Sequence, residues 1–144
     1  MKYYIMNTDD THKNPNFYKK WILENFAYAS GYFRSKGVLE KLEKGDLIFC
    51  YQKQKGIIAI GKILDKWDGK SHKDHEFYVG RSKEEKNNVY RIKVNWYLDL
   101  TQCPIKYSET KKFGNLSFKN TISQIRDEFL AEEILKLGKQ KSIL

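Results

Sequence analysis

Three sets of residues in this chain have the types and spacing to do chemistry. The first is His72-x-x-His75, flanked by Asp74 and Glu76. Such spacing can hold a metal, but a zinc site takes about three or four protein ligands. No further ligand cluster stands beside it, so neither metal nor cofactor is expected. The second set is carboxylate: Asp127, Glu128, Glu132 and Glu133. These fall on the polar face of an apolar-striped segment, where solvation accounts for them. No pair of acids is placed for general acid–base work, and the chain has no Walker loop and no nucleophile elbow. The third set is aromatic. Phe26, Tyr28, Tyr32 and Phe33 crowd a segment that also holds Ser30 and Gly31. Trp67 and Tyr78 stand in a long charged stretch from Lys66 to Lys86. Aromatic residues make up 15% of the chain, enough for some rings to do more than fill space.

Charge narrows the partner. The formal net charge is +9 over 144 residues, which favours a polyanion, nucleic acid before a membrane surface. Lys53, Lys55, Lys66, Lys70, Lys73, Arg81 and Lys83 are the candidate phosphate contacts. Singly each can be a solvated side chain; jointly they predict binding that weakens steeply with salt. The two cysteines, Cys50 and Cys103, make neither a disulfide framework nor a zinc site, and Cys50 reads as a small buried hydrophobe. The opening residues do not read as a secretory signal. No apolar run reaches the roughly 18 residues of a membrane span. A cytoplasmic chain without membrane contact is the expectation.

The elements that must position these residues are organised around Gly45 to Trp67. Leu47 to Tyr51 and Ile57 to Leu64 are two apolar, β-branched-rich runs separated by a short polar turn. They predict two central antiparallel strands buried on both faces. Gly61 interrupts the second and marks a bulge or a close backbone approach. Lys2 to Asn7 reads as a first strand, with Tyr3 and Ile5 on one face and Tyr4 and Met6 on the other. Asn14-Pro15 starts a helix that carries Phe17, Trp21 and Ile22 to about Asn25. Phe26 to Lys36 reads as irregular, followed by a short helix around Val38, Leu39 and Leu42. A short strand is expected at Glu76 to Val79. Val89 to Leu100 alternates with period two, one face buried and one wet. Ile122, Ile125, Phe129, Leu130, Ile134 and Leu137 read as one stripe on a final helix, capped by Asn120 or Thr121 and stopped by Gly138. The expected organisation is one domain over 1–138 and a flexible tail over 139–144.

The order of these segments resembles the PUA-like superfamily, and within it the EVE and YTH domains. KYYIMNTDD opens the chain, and a helical and aromatic segment leads to LEKGDLIFCY. GIIAIGKILDKW, a long loop, VYRIKVNWYLDL and a closing helix follow. The shared features are a first strand ending in a polar turn, a Gly-Asp entry into an apolar strand, a Gly-containing strand before a long loop, and a V-x-W strand. The likeness runs from about Lys2 to Leu137. It implies an α+β fold: a small mixed β-barrel of five to six strands flanked by helices. It also implies that a modified base, flipped from its strand, enters an aromatic cage. By the same resemblance the cage maps to Phe26 and Tyr28, before the second helix, and to Trp67, after the central hairpin. Tyr51, at the end of a central strand, can also face the barrel mouth. Asn7, Asp9 and Asp10 follow the first strand, where the families place polar base contacts, and Ser30 is a further donor. Trp21 and Trp96 read as core.

The expected function is therefore non-enzymatic recognition of a methylated base, in DNA first. Relatives of this kind include specificity domains of modification-dependent restriction systems. A nuclease or motor would then sit on another chain, and the reader itself is expected to be a monomer. The alternatives are a general RNA-binding PUA-like module for transfer or ribosomal RNA, an ASCH-type ribonuclease, and a protein-interaction domain.

Overall fold

The computed structural model describes residues 1–8, 16–30, 33–70, 72–73, 88–117 and 121–142, with side-chain surroundings omitted for 30, 33–35, 72–73 and 88. The expected Asn14-Pro15 helix start and the expected strand at Glu76 to Val79 lie outside the described residues.

The strands are β1 (Tyr3–Asn7), β2 (Phe26–Ser30), β3 (Leu47–Gln52), β4 (Gly56–Ile63), β5 (His72–Lys73), β6 (Asn88–Asp99) and β7 (Ile122–Ile125). The helices are α1 (Phe17–Glu24), α2 (Phe33–Leu39), α3 (Tyr107–Thr110) and α4 (Glu128–Ser142). Six strands follow one another as β2-β6-β4-β3-β1-β7 in one curled sheet, and β5 pairs with β6 as well. β3 and β4 are its centre, antiparallel to each other, and β1 runs parallel to β3. This is the mixed, helix-flanked barrel-like sheet expected from the sequence.

The sheet buries both faces because its central strands are apolar on both. Tyr4, Met6, Ile48 and Cys50 point to a core closed by Trp21 of α1, by Leu39 of α2 and by Leu42. Tyr3, Ile5, Leu47 and Phe49 point to a second core closed by Leu130, Ala131 and Ile134 of α4. Each large side chain in these cores removes apolar surface worth about 1.5–3 kcal/mol. Gly61 does both things expected of it. The β4–β6 register shifts between Ile60 and Lys62, and a Cβ on Gly61 would collide with Val94 and Trp96.

Three expectations are corrected. Phe26 to Ser30 is not irregular but a strand. Its partner decides this: Ala27 lies opposite Ile92 and Ala29 opposite Tyr90, so two poor strand formers are held by packing against β6. Ile122 and Ile125 belong to β7, antiparallel to β1, rather than to the last helix. That helix is capped by Asp127, whose carboxylate accepts the Leu130 N–H at 3.1 Å, and Phe129 on it is 61% exposed. Finally, α4 does not stop at Gly138 but runs on to Ser142, through residues expected to be a tail. Gly138 is a packing residue: a Cβ there would come within 2.6 Å of Ile60 Cδ1.

Candidate nucleic-acid interface

The strand β6 builds the site. Its first half pairs with β2, placing Phe26 opposite Lys93 and Tyr28 opposite Arg91. Cross-strand partners share a sheet face, so two rings and two cations are gathered on one side. Past β4 the chain turns back along β6 to β5, where His72 lies opposite Val89. Trp67 stands in that return segment. Its ring meets Tyr90 edge-on with centroids 5.1 Å apart.

Between these elements lies a cleft of about 230 Å³. Phe26, Trp67 and Ile92 form its apolar walls, and Lys66, Arg91, Lys93, Asp65 and Asp68 its polar lining. The Arg91 guanidinium carbon sits 4.8 Å from the Phe26 ring centroid. Asp68 is committed in part to its own turn, accepting the Lys70 N–H at 2.8 Å. Trp67 is 8% exposed, so the cleft meets a small part of the indole, and its Nε1 is buried without a hydrogen-bond partner among the described residues. Three cations against two carboxylates give the lining a positive balance.

Phe26 and Trp67, expected together, do line one cleft. Tyr28 does not join them there. It is buried in the core, 6.4 Å from the Trp21 ring, with its hydroxyl donating to the Glu24 carboxylate and the Lys20 ammonium over its face. Tyr51 belongs to the core on the opposite sheet face. Burial pushes its hydroxyl pKa up, opposed by the Gln54 backbone N–H. Trp21 and Trp96 are core as expected, and Trp96 Nε1 donates to the Phe26 carbonyl at 3.1 Å.

The polar candidates are divided. Asn7 ends β1 opposite Tyr51, at the hairpin-turn end of β3, and does not line the cleft. Ser30 ends β2 opposite Val89, the residue that also faces His72 of β5. Asp9, Asp10, His75, Arg81 and Lys83 lie outside the described residues. Lys66 lines the cleft, and Lys70 is exposed on the same return segment. Lys73 is in β5 opposite Asn88. Lys53 and Lys55 are exposed in the β3–β4 turn, at the other end of the hairpin. Among the described residues no group of three or more potential metal ligands occurs, and no helix is long and apolar enough to cross a membrane. Sequence reading missed Arg91, Lys93, Asp65 and Asp68. The alternation of β6 had put Arg91 and Lys93 on its wet face, but their meaning depends on β2 lying alongside.

A curled mixed sheet in this strand order, with helices over both faces, defines a PUA-like domain of the EVE/YTH type. The YTH domain of Toxoplasma CPSF4, solved with a seven-nucleotide m6A-modified RNA, matches with a TM-score of 0.62 at 11% identity, over 97% of this chain and 91% of that one. Human THYN1, solved with DNA containing 5-methylcytosine, matches with a TM-score of 0.59 at 12% identity, over 96% and 98%. A Pseudomonas syringae protein matches at 0.57 and 16%, over 94% and 99%. At such identities the likeness defines the fold. No curated protein sequence matches the chain. The EVE domain profile matches residues 30–137, and the chain belongs to the EVE domain family.

Proposed function

We propose that this protein binds nucleic acid and takes a methylated base, turned out of its strand, into the cleft between Phe26 and Trp67, with DNA as the first choice of polymer. The observation that carries the reading is the meeting of those two rings, from separate segments, in one cationic cleft. A methylated base has a flat π-face and a small apolar group. Stacking on an aromatic wall is worth about 1–3 kcal/mol per base, and turning the base out costs a few kcal/mol. Phosphate contacts by Lys and Arg offset that cost, and a net charge of +9 supplies them in quantity. Further support is that THYN1 and the Toxoplasma YTH domain, which share this fold, were solved with methylated DNA and methylated RNA respectively. In this reading the chain binds and does no covalent chemistry, and any nuclease or motor acting on the captured strand is a separate subunit.

The RNA-bound neighbour makes RNA the second reading. One titration decides between them. Labelled DNA and RNA oligonucleotides carrying cytosine, 5-methylcytosine, adenine or N6-methyladenine are compared at one salt concentration. The expected result is preference for one methylated base by about tenfold or more, the discrimination one methyl-sized group can supply. Equal affinity for all members of the set removes the reader assignment.

A further inference from the structure

The geometry points to Arg91 as the residue that grips the backbone phosphate of the captured nucleotide. This deepens the reading above and rests on it. Arg91 is half-buried on β6 and lines the cleft beside Phe26. Its guanidinium lies over the Phe26 ring, and among the described residues it has no carboxylate partner. Asp65 and Asp68 line the same cleft, and Asp68 accepts the Lys70 N–H. A guanidinium is always charged and offers about five N–H donors in a planar fork that matches two phosphate oxygens at once. Half-buried and without a carboxylate partner among the described residues, such a guanidinium is suited to a phosphate.

Phe26 explains why the side chain waits where it does. Contact with an aromatic face holds the cation at a cost that an anion can exceed, since such a contact is weaker than a charge-assisted pair. A base stacking on Phe26 needs the face that Arg91 covers. Entry of the base therefore turns the guanidinium off the ring and toward the phosphate of the same nucleotide. The same side chain thus rests on the ring before the base arrives and clamps the nucleotide afterwards. Lys93, opposite Phe26 in register, lies on the same sheet face and adds a second cation to that rim.

The test is the salt dependence of binding by wild type, Arg91→Gln and Arg91→Lys, each on methylated and unmethylated oligonucleotides. Loss of one phosphate contact lowers the slope of log K against log salt by about 0.9 on duplex DNA or about 0.7 on a single strand. Arg91→Gln is expected to show that drop on both oligonucleotides, with Arg91→Lys restoring the slope. A Gln variant with unchanged slope overturns the inference even where wild type prefers the methylated base. Tighter binding by that variant also overturns it, by making Arg91 a plug and nothing more. If wild type shows no methyl preference but the slope still drops, the phosphate role stands and the base-reader assignment falls. If wild type binds no nucleic acid at low salt, both fall. Circular dichroism and melting of each variant confirm that the fold is retained.

Discussion

In the proposed reading Phe26 is the residue on which binding turns, because it is half-buried, lines the cleft and carries the Arg91 guanidinium. Trp67 contributes mostly through packing against Tyr90, so removing it disturbs the core as well as the cleft. Phe26→Leu keeps most of the apolar contact and removes the flat face. It is expected to weaken binding of the preferred oligonucleotide by about 1–3 kcal/mol, the worth of one stacked base. Tyr51→Phe, on the other side of the sheet, is expected to leave affinity and methyl preference unchanged. Fluorescence anisotropy measures both. Wild-type affinity in the Phe26 variant would take the stacking role away from this cleft.

At the scale of elements, α3 is tied to the end of α4 by a single ion pair. The Lys141 ammonium lies 3.1 Å from Glu109 Oε1, and Glu109 also accepts the Lys106 N–H at 3.1 Å. Burial pushes the Glu109 carboxyl upward, but the Lys106 N–H and Lys141 together outweigh it and hold it below its ordinary value of 4.5. Burial pushes Lys141 down, and Glu109 outweighs that to raise it above 10.5. A lowered carboxyl pKa stabilises the folded state fully above the unfolded value and loses that contribution as pH falls through the folded one. A raised ammonium pKa stabilises fully below 10.5 and is lost as pH climbs through the folded value. Glu109→Gln is therefore expected to cost about 0.2–1 kcal/mol near neutrality, as for other partly exposed pairs. Urea titrations should show the gap between wild type and variant closing as pH drops below 4.5. A gap that persists unchanged at pH ~3 would mean the pair contributes through packing and not through charge. This pairing was not legible in the sequence, because it joins α3 to residues read as a tail. The same physics separates the rest. β1, β3, β4 and β6 were legible because their own apolar patterns specify them. β2 and β7 were not, since Ala27, Ala29 and the Ile122–Ile125 stretch take strand form only beside their partners. The cleft was half legible. Its rings stood out by type, whereas Arg91 and Lys93 gain their role from a register that no local pattern announces.

At the scale of the whole molecule, two groups of cations stand apart among the described residues. Lys66, Arg91 and Lys93 surround the cleft, while Lys53 and Lys55 occupy the turn at the other end of the β3–β4 hairpin. The eight residues of β4 lie between, and at about 3.3 Å per residue they span roughly 25 Å. Each nucleotide of one duplex strand advances about 3.4 Å along the helix axis, so a strand that keeps this rise reaches the hairpin turn from the cleft only after about seven nucleotides. Oligonucleotide length should therefore separate the groups. With about four nucleotides, Lys53→Gln/Lys55→Gln is expected to bind as wild type does, while Lys66→Gln/Lys93→Gln weakens binding and flattens its salt dependence. With about twenty nucleotides centred on the modified base, enough to carry the strand past the roughly seven-nucleotide reach on either side, both double variants should flatten the salt dependence. A hairpin-turn variant that weakens the shortest oligonucleotide would move the phosphate track to the Lys53 end of the sheet, and the base-binding cleft with it. Insensitivity of the longest one to that variant would confine the footprint to the return segment and β6. Net charge would then act by drawing nucleic acid toward the protein over distance, a contribution screened beyond about 8 Å at physiological ionic strength.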